Sequence, residues 1–196
     1  MSAFRPFVPR SVRWRALEGE GLEHLSLVQQ GDNIVATSVA IGERGRTAYG
    51  ASYTLICDLG WRARRLDLVS TDGRTLHLAS DGQGHWSRGN GARLAAFDGC
   101  IDIDLSGSPF TNTLPIRRLD LAPADGVASL DALYIPFDSF EPARDGQRYA
   151  CLEAGRRFRY EAADETFSAD ISVDEDGLVL HYPPLFTRAD YERPQP

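Results

Sequence analysis

Short segments in which apolar and polar residues alternate recur along almost the whole chain, and this pattern constrains the fold most. In the segment 49–57, for example, the odd-numbered residues are all apolar or aromatic and share one face. A period of two is typical of a β-strand with one buried face. The sequence therefore predicts strands at hairpin spacing from residue 12 to residue 182. Glycine supplies the positive φ that tight hairpins need, and glycine-containing turns lie at 71–73, 81–84, 89–91, 153–155 and 174–177.

Helical patterns are weak in this sequence. The stretches 126–133 and 185–191 are candidates for a short helical turn, but neither keeps a 3.6-residue period. The proline-bearing segment 122–146 is interpreted as a long connection over one end of the domain. Because no linker or change in composition divides the chain, residues 1–196 are predicted to form a single domain.

So many short strands cannot remain one flat open sheet, and they must roll up, close or split into two layers. The predicted fold class is all-β: a single antiparallel sheet that rolls up like a barrel, with few short helical turns. A rolled sheet can enclose a cavity lined by alternate residues, and small molecules bind in the mouths of such barrels. The fold thus predicts a binding pocket before any motif is considered.

The composition excludes several classes of protein. A formal net charge of -7 argues against a nucleic-acid-binding domain, which would be basic. No run approaches the ~20 apolar residues that a transmembrane helix requires. The first ten residues lack the apolar stretch of a secretory signal, and the three cysteines are odd in number and widely separated. We therefore expect a cytoplasmic protein with reduced thiols; the oligomeric state is left open.

Polar residues gather in the segment 100–119. Asp102 and Asp104 share one face of an alternating stretch whose other face is aliphatic, and a polar turn follows at 106–112. The chain is then predicted to resume as an arginine-bearing strand after Pro115. Asn112, in the turn, either caps the turn or forms hydrogen bonds with the hydroxyl groups of a ligand.

Two consecutive arginines follow this turn. In a strand, Arg117 and Arg118 would face opposite ways, so one guanidinium would lie among apolar side chains and need a partner. We expect Arg117 to be partly buried and to contact Asp102 or Asp104. Such a pair either braces the loop or reads a ligand.

The sequence gives no support for a metal or another cofactor. Asp102 and Asp104 form a D-x-D pattern, but a divalent cation needs more oxygen ligands than two carboxylates supply. The four histidines show no zinc-binding spacing, and no G-x-S-x-G elbow or phosphate-binding glycine loop is present. We therefore predict no cofactor, no metal ligands and no catalytic residues. Aromatic residues on separate strands, among them Trp61, Tyr149 and Tyr160, either stack on a sugar or acyl group or belong to the core.

Nine segments of the chain, in order and at similar spacing, resemble a bacterial family of glycolipid-binding proteins formerly catalogued as a domain of unknown function. They run from about residue 14 to residue 188: WRALE (14–18), GLEHL (21–25), CDLGWR (57–62), DGQGHW (81–86), GCIDIDL (99–105), PFTNTLPIRRL (109–119), FRYE (158–161), GLVLHYP (177–183) and LFTR (185–188).

The resemblance implies a spiral β-roll similar to the fold of bacterial lipoprotein-localisation carriers. It also implies a non-enzymatic protein that holds a lipid or glycolipid in the groove of the rolled sheet. An alternative is a small hydrolase or isomerase that uses Asp102 or Asp104 with a histidine as acid–base partner. A third is a protein-interaction domain without a pocket. Binding is favoured over catalysis, and the candidate ligand-binding residues are Asp102, Asp104, Asn112, Arg117, Arg118, Trp61, Arg62, Tyr149 and Tyr160.

Overall fold

The computed structural model describes residues 2–190, which form one sheet of 14 strands and one short α-helix. The strands are β1 (Arg10–Ala16), β2 (Leu22–Gln30), β3 (Asn33–Arg44), β4 (Thr47–Asp58), β5 (Ala63–Ser70), β6 (Thr75–Ser80), β7 (Trp86–Arg88), β8 (Asp102–Leu105), β9 (Val127–Ile135), β10 (Ala143–Glu153), β11 (Arg157–Ala162), β12 (Ser168–Val173), β13 (Val179–Tyr182) and β14 (Phe186–Arg188). The helix α1 (Thr113–Leu119) follows a 3-10 turn over Pro109–Asn112. The predicted all-β fold is confirmed.

The sheet consists of two meanders joined through the first and the last strand. Its spatial order runs from β7 back to β1, crosses to β14 through the pair Trp14 and Arg188, and continues back to β8. Each half thus follows chain order through hairpins, as the glycine-containing turns predicted. Within residues 2–190, β7 and β8 remain the two edges, so the rolled sheet does not close into a barrel.

One strand pair departs from the antiparallel prediction. β8 runs parallel to β9, with Asp102 opposite Ala132 and Asp104 opposite Tyr134. Parallel neighbours cannot be joined by a tight hairpin and need a crossover. The crossover here is the segment 106–126, which contains α1.

The segment after Asn112 is a helix, and the prediction of an arginine-bearing strand there was wrong. Leu114 and Ile116 are buried, and Pro115 lies in the first helical turn, where its missing N–H removes no helical hydrogen bond. Asp120 ends the helix in a left-handed conformation. Seven residues are too few for a 3.6-residue period to stand out in the sequence.

The two stretches proposed as helical turns are strands. Residues 127–133 belong to β9, and residues 186–188 form β14, whereas residue 191 lies outside the described residues. The segment 122–146 is likewise no long connection, because it contains β9 and the start of β10. In the described part of the chain, no helix is long and apolar enough to cross a membrane.

Side chains from alternate positions of the strands fill the interior of the roll. Trp14 and Trp86 are buried there, and their indole N–H groups donate to the carbonyls of Val179, at 2.7 Å, and Cys100, at 2.6 Å. Phe110 and Leu114 enter this core from the crossover. The crossover therefore occupies space inside the roll, and it holds the polar loop 106–112 at one end of the sheet.

Candidate functional site

Two adjoining cavities open at the end of the roll that carries the β3–β4 hairpin. The first, here called the carboxylate cavity, has a volume of about 420 Å³. The second, the hairpin cavity, also has about 420 Å³ and lies between the β3–β4 hairpin and the turn 18–21. The residues that line both are Arg44, Ser106, Tyr134, Leu185 and Phe186. Volumes of this size are typical of small-molecule sites.

A network of neutral donors surrounds Asp104 in the carboxylate cavity. Thr111 donates its hydroxyl to Oδ1 at 2.8 Å, and the Gln147 amide donates to Oδ2 at 3.0 Å. The same amide nitrogen donates to Asp145 Oδ2 at 2.9 Å, so two carboxylates share one NH₂ group. Burial and the charge of Asp145 raise the pKa of Asp104 to about 6.

Asn112 lines the same cavity and is held from behind. The Tyr149 hydroxyl donates to its Oδ1 at 3.0 Å, and its own amide donates to the Pro109 carbonyl at 3.4 Å. Tyr149 is itself buried, and its hydroxyl also lies 3.3 Å from Gln147 Oε1. Two contacts therefore fix the orientation of Asn112: the hydrogen bond from Tyr149 on β10 and the hydrogen bond to Pro109 in the crossover.

Three aromatic rings form one wall of the carboxylate cavity. The centroids of Tyr160 and Phe167 are 5.9 Å apart, those of Tyr160 and Tyr182 6.1 Å, and those of Phe167 and Tyr182 6.2 Å. Burial and the nearby charge of Asp104 raise the pKa values of Tyr160 and Tyr182. These hydroxyls therefore stay neutral near neutral pH.

A buried carboxylate lies behind the loop that carries Ser108. Glu23 is 2% exposed, and its Oε1 accepts hydrogen bonds from Ser38 at 2.7 Å and from Tyr53 and Ser108 at 2.8 Å. Burial raises its pKa to about 7. Because Ser108 also lines the carboxylate cavity, Glu23 connects the N-terminal meander to the cavity wall.

The cationic side chain that lines both cavities is Arg44. Its Nη1 lies 3.2 Å from Asp138 Oδ2, and its guanidinium lies 5.9 Å from the centroid of the Tyr134 ring. Asp138 therefore offsets its charge, and the ring of Tyr134 holds the guanidinium against the wall.

The structure divides the sequence-predicted site residues among three places. Asp104, Asn112 and Tyr160 line the carboxylate cavity, and Tyr149 lies directly behind Asn112. Asp102 is 1% exposed and forms an ion pair with Arg118, which joins β8 to α1. This pair is a structural brace between two elements.

Trp61, Arg62 and Arg117 lie elsewhere. Tyr49, near the start of β4, lines the hairpin cavity, whereas Trp61 and the exposed Arg62 follow the last residue of β4 at the opposite end. Arg117 lies there too, with its guanidinium 4.8 Å from the Trp61 ring.

Arg117 is partly buried, as predicted, but the prediction that it contacts Asp102 or Asp104 was wrong. Its Nη1 donates to the carbonyls of Arg5 and Asp176, each at 3.1 Å, and among residues 2–190 it forms no ion pair. Arg118 takes the carboxylate instead, because the helix directs the two guanidinium groups differently from a strand.

Several residues in or behind the cavity wall were missed from the sequence, above all Asp145, Gln147 and Glu23. A signal existed for Gln147, which occupies an inward position of β10 in line with Tyr149 and Cys151. A polar residue at an inward position needs a buried partner. The partner could not be identified, because Asp104 lies two strands away in the sheet.

The arrangement gives no support to acid–base catalysis by an aspartate and a histidine. The side-chain donors to Asp102 and Asp104 are Arg118, Thr111 and Gln147, and no histidine lines the carboxylate cavity. Within residues 2–190, no three His, Cys, Asp or Glu side chains come together as a metal site would require. The cavity is built from hydrogen-bonding groups and aromatic rings.

Fold and site together define an all-β protein whose open, rolled sheet carries a polar cleft with aromatic walls at one end. A family model described as "Putative glycolipid-binding" matches residues 11–188, and the chain belongs to this family. The crystal structure of a DUF1089 family protein from Pseudomonas aeruginosa superimposes on this chain with a TM-score of 0.74. The two sequences are 41% identical, and the match covers 89% of this chain and 95% of the Pseudomonas chain. A search of curated proteins found no match.

Proposed function

We propose that this protein binds an amphiphile with a sugar-like headgroup, with the headgroup in the carboxylate cavity and the apolar chain in the hairpin cavity. The observation that carries the proposal is the shared wall of the two cavities, which joins a hydrogen-bonding end to an end with more exposed apolar surface. The family description supports a glycolipid as the class of ligand.

The carboxylate cavity supplies the groups that read hydroxyls. Asp104, Asp145, Asn112 and Ser108 present acceptors and donors, and the buried Tyr149 and Gln147 hold two of them in place. Pre-positioned polar groups lower the ordering cost of binding. The faces of Tyr160, Phe167 and Tyr182 provide an apolar wall against which a sugar ring can stack.

The apolar part of the ligand has a route along the shared wall. Leu185 and Phe186 line both cavities, and Leu185 is 39% exposed although it is aliphatic. Covering such a side chain with an alkyl chain removes apolar surface from water. The hairpin cavity continues past these residues between the β3–β4 hairpin and the turn 18–21, and Gly21, Gly42 and Gly45 are part of its lining.

The interior of the roll is not part of this site. The sequence predicted an internal groove with Tyr149 or Tyr160 as one of its aromatic residues. Tyr149 is packed behind Asn112, and Tyr160 lines the carboxylate cavity. The proposed ligand therefore lies at the end of the roll.

The test is a titration with dodecyl β-maltoside below its micelle concentration, followed by calorimetry or native mass spectrometry. We expect saturable binding of one molecule that weakens at least tenfold in Leu185→Arg. Leu59→Arg is the matched control, because Leu59 is also an exposed leucine, at 49%, and lies beyond the opposite end of β4. An absence of saturable binding by wild-type protein, or equal weakening in both variants, would contradict the proposal.

A further inference from the structure

The charges in the carboxylate cavity are unbalanced. Among residues 2–190, Asp104 and Asp145 form no ion pair, and they accept hydrogen bonds only from neutral groups. Arg44, the cationic residue in the same lining, is engaged by Asp138. A ligand that enters this cavity therefore meets two carboxylates without a counter-charge of their own.

The neighbourhood shows how unusual this is for the chain. Asp102, two residues earlier on β8, has Arg118 as its partner, and Asp131, on β9 opposite Gly146, has Arg144. Arginine thus neutralises one carboxylate on each of the neighbouring strands β8 and β9. Gln147 occupies the position between Asp104 and Asp145, and a neutral amide leaves both charges in place.

Two carboxylates that accept from one nitrogen lie within about 6 Å of each other, because each hydrogen bond is about 3 Å long. Their mutual repulsion, added to burial, is reflected in the raised pKa of Asp104. A cation placed between them and the aromatic wall would lower the electrostatic energy of both. The faces of Tyr160, Phe167 and Tyr182 also attract cations.

From this charge arrangement we infer that the headgroup bound in the carboxylate cavity carries an ammonium group, as an amino sugar does, and that anionic headgroups are excluded. The inference rests on the proposed function, since it concerns the same cavity. The preference for a cation follows from the electrostatic potential of the cleft. A cavity with unpaired carboxylates concentrates cations and repels phosphates and carboxylates. A metal ion is a poorer occupant, because no third carboxylate, histidine or cysteine joins the pair within residues 2–190.

Three matched probes separate the inference from the proposed function: dodecyl glucoside, dodecyl glucosaminide and dodecyl glucuronide. They share a chain and a ring and differ in a neutral, cationic or anionic substituent. At pH 7 and low ionic strength, we expect the glucosaminide to bind at least tenfold more tightly than the glucoside. We expect the glucuronide to bind at least tenfold more weakly than the glucoside.

Asp145→Asn should abolish most of the preference for the glucosaminide, measured as the ratio of its affinity to that of the glucoside in the same variant. Asp32→Asn is the matched control, because it makes the same change in net charge in the β2–β3 turn, at the end of β3 opposite to the β3–β4 hairpin. It should leave the order of affinities for the three probes unchanged. Asp104→Asn is a second variant that removes one of the two charges and should also reduce the preference for the glucosaminide. Circular dichroism checks its fold before titration.

Equal binding of the three probes, or tightest binding of the glucuronide, would overturn the inference while the proposed function stands. Binding of none of them would overturn the proposed function and the inference with it. A ranking that Asp145→Asn and Asp32→Asn alter equally would show that net charge, and not the cavity, sets the preference, which also overturns the inference.

Discussion

The guanidinium of Arg118 holds the buried carboxylate of Asp102, with Nε 3.1 Å from Oδ1. Two residues further along β8, Asp104 receives only neutral donors and lines a cavity. The same strand thus carries one carboxylate that anchors the crossover helix and one that remains available to a ligand. The difference follows from α1, because the helix places Arg118 beside Asp102 and places no arginine beside Asp104.

Removing the charge of Arg118 should destabilise the protein strongly. In Arg118→Met the stem of the side chain remains, but Asp102, at 1% exposure, loses its charged partner. Leaving one member of a buried pair without its partner costs roughly 3–5 kcal/mol. Urea denaturation followed by tryptophan fluorescence measures the free energy of unfolding.

Arg117→Met is the control for this change, since it is the neighbouring arginine on the same helix and has no ion pair within residues 2–190. We expect a smaller loss, because two hydrogen bonds to carbonyls and the contacts with the rings of Phe4 and Trp61 are removed and no carboxylate is stranded. Asp102→Asn should recover part of the stability lost in Arg118→Met. A larger loss for Arg117→Met than for Arg118→Met would contradict the assignment of the pair.

The hairpin architecture could be predicted from the sequence because its determinants are local. Alternation and glycine-containing turns fix a strand and its neighbour within about ten residues, and most strands pair with their chain neighbours in this way. The exceptions to the prediction are β9 and β14, which were expected to be helical turns. The crossover was missed because α1 is short and its stability comes from the burial of Leu114 and Ile116 in the roll. Whether such a short helix forms depends on its tertiary packing and not on the helix propensity of its residues.

Apart from Tyr149 and Tyr160, the site was predictable only where it coincided with the polar segment 100–119. Asp104 and Asn112 stood out there because they are polar residues beside an apolar strand face. Asp145 and Gln147 belong to a different hairpin, and Glu23 lies on β2, so their convergence depends on the order of strands in the rolled sheet. Arg117 and Arg118 were assigned to opposite faces of a strand, and the helix redistributed their partners.

The stability of the protein should fall as the pH rises through neutrality, because of Glu23. Its pKa in the folded state is about 7, above its ordinary value of 4.5, so the folded state holds the proton more tightly than the unfolded chain. The contribution is complete below about pH 4.5 and is lost as the pH rises through 7. From pH 5 to pH 8 the loss is on the order of 3 kcal/mol.

Glu23→Gln should flatten this profile, since the amide keeps an acceptor for Ser38, Tyr53 and Ser108 and cannot ionise. Thermal denaturation between pH 5 and pH 8 gives the comparison. Glu20→Gln, an exposed position in the turn before β2, should leave the profile unchanged. Parallel profiles for wild type and Glu23→Gln would show that Glu23 is not the titrating group. Asp104 adds a smaller slope of the same sign in all these proteins.

The three cysteines should resist thiol reagents in the folded protein. Cys57, Cys100 and Cys151 are free and buried, and burial raises the pKa of Cys100 to about 11. Because the thiolate is the reactive form, a buried thiol with a raised pKa reacts slowly. We expect no rapid reaction with Ellman's reagent at pH 7.5 and three equivalents after denaturation without a reductant. Fewer than three equivalents would mean that a thiol is oxidised or modified.

The wall between the core and the hairpin cavity depends on the absence of a side chain at residue 107. A Cβ at Gly107 would lie 2.7 Å from Phe137 Cδ2 and would also collide with the Tyr49 hydroxyl. Gly107→Ala should therefore cost ~1–3 kcal/mol through overpacking. Tyr49→Phe removes one of the two colliding groups, so the double variant should lose less stability than the two single variants together. Additive losses in the double-mutant cycle would show that the loop moves away from Tyr49 instead of pressing against it.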